Sequence, residues 1–289
     1  MSGEMLLQGI EWVAIALSCA IALLLPVELW HLRRRGKLDR MRILEMLASA
    51  SPLLPTLLVS GVVAAFILAL YGGAAALAPF EIPITWWSSL LCVLAVDFMY
   101  YWDHHVAHEN RTYWALAHSV HHSSPAYDQT TGLRISFVDG FISPWFYVPI
   151  VLIGFDPMHV LACFGFILGY QQWLHTETIG RLPRLDPWLN TPSNHRVHHG
   201  VQAQYQDRNY GAVLILWDRL FGTYEPEGET VRYGITHPIG SVNPIAVHGV
   251  EALRLWRDLR ATPRWRDRLR RLWHRPDWQP GLDRARTEP

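Results

Sequence analysis

The chain has 289 residues, half of them hydrophobic and only 17% charged, with 14 Trp and a mean hydropathy of +0.08. That profile fits an all-α, multi-span membrane protein with one sizeable soluble face, and a formal net charge of zero argues against nucleic acid as a partner. Cys19, Cys92 and Cys163 all lie inside apolar runs, where they read as small buried hydrophobes and make no C-x-x-C pair or disulfide framework.

In chain order, the run from about Trp12 to Trp30 carries one acid, Glu28, and is long enough to cross about 30 Å of hydrocarbon. Glu4 and Glu11 precede it where a signal peptide would be basic, so it reads as an anchor and not a cleaved leader. A second span is expected from about Leu53 to Leu77 and a third from about Trp86 to Tyr101. The loop between the first two carries Arg33, Arg34, Arg35, Lys37, Arg40 and Arg42, and the loop between the second and third carries no basic residue. The positive-inside rule then makes the first loop cytoplasmic, together with the end of the third span.

That span ends in DFMYYWDHHVAHE. Asp97, Tyr101, His104 and His108 recur at i, i+4, i+7 and i+11, a single helical stripe that leads out of the membrane. An acid in an apolar span is costly and functional by default. Asp97 is placed either to accept the second ring N–H of a ligand histidine or to pair with a neighbouring helix for structure alone. Glu109 stands about 100° around the helix from His108, open to metal binding, proton relay or an arginine.

His104 and His108 are the first of three boxes. The second is His118, His121 and His122 and the third His195, His198 and His199, both reading H-x-x-H-H. On a helix, each box is expected to project its imidazoles from one face into one small volume. Neutral imidazole suits iron, copper, nickel and zinc, and eight donors are too many for one ion but enough for two. His105 points elsewhere and stays outside the set. His175, in WLHTE, reads as a ninth ligand or as an outer donor. His31, His159, His237, His248 and His274 have no partner at ligand spacing and read as ordinary.

Between boxes two and three lie two short apolar stretches, Phe137 to Phe155 and Met158 to Leu174, joined by GFDP and interrupted by Asp139, Pro144 and Pro149. They read as a re-entrant hairpin that returns the chain and leaves all three boxes on one side. Tyr127, Asp128, Thr131 and Arg134 after the second box, and Asp207, Asn209, Tyr210, Trp217 and Asp218 after the third, are either partners of the ligands or loop and cap chemistry. From Ala246 to His274, arginines interleave with Trp256, Leu259, Trp265, Leu269 and Trp273, as on an anionic leaflet or on a solvated helix face. No internal repeat is visible. One domain is expected in three parts: a transmembrane region (1–85), a catalytic part (86–225) and a basic cytoplasmic C-terminal segment (226–289).

The succession DFMYYWDHHVAH, W-x-x-x-H-x-x-H-H-S, NTPSNHRVHHG and NYGAVLILWDRLFGTY resembles the fatty acid hydroxylase and sterol desaturase superfamily of membrane di-iron enzymes. HENRTYWALAHSVHHSS, WLHTE, DRLFGTYEPE and YGITHPI are most similar to its alkylglycerol monooxygenase branch. The resemblance covers about Asp97 to Pro280. It implies two iron ions held by the eight histidines, oxygen as co-substrate, a membrane lipid as substrate and a catalytic role for Glu109. Two departures, His105 where relatives carry Arg and Asp128 where they often carry Asn, leave the ligand set intact.

The expected function is therefore oxygen-dependent hydroxylation of an ether lipid, fatty acyl or sterol-like substrate. Desaturation on the same centre is the alternative, since both begin with hydrogen abstraction. No dinucleotide, haem or iron–sulfur motif is present, so a separate donor is implied, either a redox protein or a reduced pterin such as tetrahydrobiopterin. A membrane zinc hydrolase would call for H-E-x-x-H, which is absent. A non-catalytic metal carrier would spread its ligands along several spans near the midplane, whereas here they cluster at one face.

Overall fold

In the computed structural model, which describes residues 3–281, the first apolar run is one helix, α1 (Gly3–Arg34). It stops at Gly36, whose positive φ of 66° lets the Lys37 N–H return to Leu32 C=O at 2.9 Å. Asp39 caps α2 (Arg40–Ala50) by accepting from Arg42 N at 2.7 Å, and a turn at Ser51 and Pro52 leads into α3 (Leu53–Ala75). The most apolar windows of α1 and of the α2–α3 unit have mean hydropathies of 2.2 and 2.5, and none of either window is buried within the protein. Leu23, Leu57 and Leu58 are each more than 70% exposed. Faces this apolar and this open match a hydrocarbon surrounding and do not match a soluble core.

The third expected span is the first part of α4 (Trp86–Glu109), started by a capping box of Thr85 and Ser88 and running unbroken through the first histidine box. The hairpin stretches form α5 (Pro144–Leu152) and α6 (Pro157–Gln171), of 9 and 15 residues, short of the roughly 20 that a crossing takes. Pro144 and Pro157 each stand in a first turn, where a missing N–H costs nothing. α6 packs along both α1 and α4, and α5 lies between α3 and α4. Their shared core contains Tyr71, Cys92, Val96, Tyr147, Ile150 and Ile167.

One cysteine expectation changes here. Cys19 is exposed, because its face of α1 meets no other helix, while Cys92 and Cys163 are buried as expected. His159 is also less ordinary than its spacing suggested: fully buried, it lies with both of those sulfurs in one cluster and meets Ser89 Oγ at 3.0 Å.

Beyond α6 the chain is short helices and loops, with no strand among the described residues. α7 (Pro192–His198) carries most of the third box, and α8 (Leu216–Phe221) follows. The C-terminal segment forms α9 (Pro244–Ala261) and α10 (Trp265–Trp273), which fold back on residues 111–122; residues 282–289 of that segment lie outside the described residues. Trp256, Trp265, Leu269 and Trp273 are exposed, but several arginines are not free of the protein. Arg254 holds His237 C=O, and Arg268 and Arg271 hold Thr262.

Candidate metal centre

The stripe on α4 forms as expected, with Asp97, Tyr101, His104 and His108 all buried. Residues 111–122 follow as a helical turn at Arg111–Tyr113, a π-helical turn at Trp114–His118 and a last turn at Ser119–His122. Such a π turn re-aims the side chains after it and is frequent at functional sites.

Nine imidazoles converge in two groups. His104, His108, His118, His122 and His198 make the first, and His121, His175, His195 and His199 the second; within each, one ligand nitrogen per residue lies within 4.8 Å of the others. The boxes therefore do not each fill one volume, as their spacing suggested. Residues at i and i+4 stay 40° apart on a helix, but adjacent residues diverge by about 100°. His118 and His122 thus join the first group while His121 turns to the second, and His195 and His199 join the second while His198 turns to the first. His175 enters as a full member, its Nε2 3.1 Å from His195 Nε2 and 3.3 Å from His121 Nε2. His105 stays outside, against Tyr101 and Tyr210.

These contacts are not a hydrogen-bond network. His118 Nε2 lies 3.1, 3.0 and 3.2 Å from the Nε2 atoms of His104, His108 and His122, yet one ring nitrogen offers a single hydrogen or a single lone pair. Moreover His104 Nδ1 is 2.8 Å from Tyr210 C=O and His198 Nδ1 is 2.9 Å from Arg208 C=O. A carbonyl only accepts, so those Nδ1 atoms carry the hydrogen and the Nε2 lone pairs face inward. Donors about 2.1 Å from one ion stand roughly 3.0 Å apart at right angles and roughly 3.4 Å apart at the tetrahedral angle. The observed separations fall in that interval. Burial, and after it the charge of neighbouring rings, holds His104, His118, His122, His198 and His199 well below 6.5, and burial pushes His121 down to about 4. Neutral donors of this kind fit two cations.

The surrounding residues orient the rings. Asp218 accepts from Tyr210 N at 2.7 Å and Gly211 N at 2.8 Å, and so fixes the carbonyl that receives His104. Position 211 admits only glycine, because a Cβ there would stand 2.4 Å from Leu214 C=O. Asp207 Oδ1 is 3.5 Å from His108 Nδ1. Burial works against its ionisation, but His108 and Arg275 outweigh that and keep its carboxyl below the usual range. Glu28, the one acid of the apolar run from Trp12 to Trp30, accepts from Gln129 N at 2.7 Å and Thr176 Oγ1 at 2.6 Å, tying α1 to the segments that follow His122 and His175. Arg42 of the basic loop meets Asp128 at 2.9 Å.

Both candidate carboxylates find other partners. Asp97 accepts from no histidine among the described residues. It accepts from Val213 N and Trp217 Nε1, each at 2.8 Å, because seven residues of helix, about 10 Å of rise, separate it from His104. Of the roles open to Glu109, the structure shows the arginine, with Arg275 at 2.8 Å. Arg275 also holds Asp207, so the C-terminal segment closes over the first group, an arrangement no local pattern announces.

Two cavities meet the histidines. The larger, about 640 Å³, is lined by arginines of the C-terminal segment and reaches His108, His122 and His198 of the first group alone. The smaller, about 90 Å³, reaches His104 and His118 of the first group and His121 and His175 of the second.

Residues 89–223 match the family model described as fatty acid hydroxylase. The chain carries a fatty acid hydroxylase domain. Alkylglycerol monooxygenase of Xenopus tropicalis is 44% identical over 206 residues, 71% of this chain and 45% of the relative. Ornithine lipid hydroxylase of Rhizobium tropici is 31% identical over 151 residues, 51% and 45% of the two chains. A probable Delta(7)-sterol 5(6)-desaturase of Neurospora crassa is 30% identical over 142 residues, 48% and 39%. The chain thus spans less than half the length of the curated relatives it matches. No solved structure matches it.

Proposed function

We propose that this chain is a multi-span membrane enzyme that uses two iron ions and oxygen to hydroxylate a lipid. The observation that carries the reading is the division of nine buried or half-buried imidazoles into groups of five and four inside a fatty acid hydroxylase domain. An iron pair held there supplies, with oxygen, an oxidant able to remove hydrogen from an unactivated C–H bond. The chain's own part is to hold the donors neutral and oriented, keep water from the inner rings, and present substrate through the smaller cavity, which reaches both groups.

The alkylglycerol monooxygenase relative favours an ether lipid as substrate, with fatty acyl and sterol-like lipids as further candidates. The sterol desaturase relative supports the alternative outcome, a double bond. Lipid mass spectrometry under labelled oxygen separates them: one labelled oxygen gained is hydroxylation, two hydrogens lost is desaturation, and no change in any lipid overturns both. Electrons enter through the larger, arginine-lined cavity from a redox protein or a reduced pterin such as tetrahydrobiopterin. Asp97 acts by positioning the loop at 213–217, and Glu109 by holding Arg275 across the first group.

Iron reconstitution is expected to yield about two ions per chain, one for each group of four or five nitrogens. A stoichiometry at or below one discards the dinuclear reading.

The topology has its own test. With α1, α3 and α4 crossing and the basic loop cytoplasmic, cysteines introduced near Asp128 and near Gln202, which are themselves buried, in a background without the native three are expected to react only with a reagent admitted to the cytoplasm. One at Glu81 is expected to react from outside. Labelling of 128 and 202 from opposite sides contradicts the shared site.

A further inference from the structure

A separate cluster lies toward the other end of α4 from the histidine groups. Cys92 stands on α4, and His159 and Cys163 stand at i and i+4 on α6, one turn apart. One ligand atom from each of the three lies within 4.8 Å of the other two, and all three residues are 0% exposed. Twelve residues of helix, about 18 Å of rise, separate Cys92 from His104, so the cluster is apart from the nine converging imidazoles. Its surroundings are apolar, with Val96, Phe155, Val160 and Ile167 in the same core as both cysteines. The His159 ring is only half satisfied there. Its Nε2 meets Ser89 Oγ at 3.0 Å, while Nδ1 is buried without a hydrogen-bond partner. An Nε2–H donated to Ser89 leaves the Nδ1 lone pair free in a cluster with two sulfurs.

We propose that Cys92, His159 and Cys163 form a further metal site, distinct from the histidine centre, for a soft thiophilic ion, Zn2+ or Cu+. Thiolate sulfur selects these ions, and both accept imidazole. Sulfurs about 2.3 Å and a ring nitrogen about 2.0 Å from one ion stand roughly 3.5–4.0 Å apart, inside the observed limit. Hard cations such as Mg2+ and Ca2+ take oxygen ligands, and the cluster offers them none. Charge fits as well. Exchange of both thiol protons for one Zn2+, or of one thiol proton for one Cu+, with the protons passing to solvent, leaves the cluster neutral in its apolar core. Ser89 fixes the ring, as the hydrogen-bond partners of metal-bound histidines do. The ion ties the first half of α4 to the start of α6, and so braces the hairpin that delivers His175 to the second histidine group.

X-ray absorption at the zinc and copper edges is the test, on the iron-loaded, thiol-reduced protein offered Zn2+ in one arm and Cu+ in the other. One added equivalent is expected in at least one arm, with sulfur neighbours at about 2.3 Å. The arm with the tighter uptake identifies the ion. Cys92→Ser and Cys163→Ser are each expected to weaken that equivalent by more than about 100-fold, beyond the cost of losing a ligand's hydrogen-bond partner. Cys19→Ser, at an exposed position on α1, is expected to bind as the native protein does. No uptake in either arm overturns the proposal, as does uptake with a nitrogen-only shell, which marks binding at the histidines, or a sulfur signal that survives both substitutions. If a serine variant does not fold, the sulfur signal of the unaltered protein decides. Neither iron content nor the lipid reaction enters this readout, so its failure leaves the proposed function standing.

Discussion

Replacing His118 with alanine is expected to lower turnover by more than about 100-fold, beyond the 10 to 100-fold that loss of a ligand's hydrogen-bond partner costs, and to leave about one iron per chain. His118 Nε2 is the common neighbour of three other ring nitrogens of the first group. Its loss removes the donor about which His104, His108 and His122 close, while the second group keeps all four members. His175→Ala is expected to weaken the second group instead, leaving it His121, His195 and His199. His274→Ala, which removes a ring stacked on Trp278 that belongs to neither group, serves as the control with near-normal iron and rate. Two irons and ordinary turnover in His118→Ala show that the first group is packing and not ligation.

The eight boxed histidines are legible in the sequence for a physical reason: a helix delivers donors to one place only from i, i+3 and i+4, so ligand geometry writes itself as spacing. The same arithmetic, carried one step further, separates adjacent histidines by about 100° and divides each H-x-x-H-H box between two groups. His175 has no spacing partner. Its place is set by where the α5–α6 hairpin ends, which is tertiary information. Asp103 stands beside His104 in the motif, but one acid on a helix has no period. Only the approach of Asp139 and Tyr113 across the fold makes it part of a cavity floor. Arg275 meets Glu109 across 166 residues, beyond any local pattern. The long apolar helices, in contrast, follow from long apolar runs, and the structure alters mainly their ends: α1 runs to Arg34 past the expected Trp30, and α4 continues through the first box.

Asp218→Ala is expected to weaken one iron equivalent by roughly 10 to 100-fold and leave the other unchanged, although Asp218 touches no histidine. The carboxylate is buried and accepts from Tyr210 N at 2.7 Å, Gly211 N at 2.8 Å and Thr223 Oγ1 at 2.7 Å. Removing it strands two backbone N–H groups away from water, at about 1–3 kcal/mol each, which also lowers the thermal midpoint of the purified protein. The Tyr210 carbonyl then loses its fixed direction. That carbonyl is the acceptor of His104 Nδ1–H, and it sets both the tautomer and the plane of the ring. Among the described residues no ring of the second group is hydrogen-bonded to this loop, so that group's ion is the one retained. Asp218→Asn keeps an acceptor oxygen for one of the two N–H groups and is expected to fall between the alanine variant and the native protein. An iron titration in which Asp218→Ala binds both equivalents as tightly as the native protein separates this carboxylate from His104 altogether. One in which both equivalents weaken together means that the two groups share a support which the hydrogen bonds of the loop do not describe.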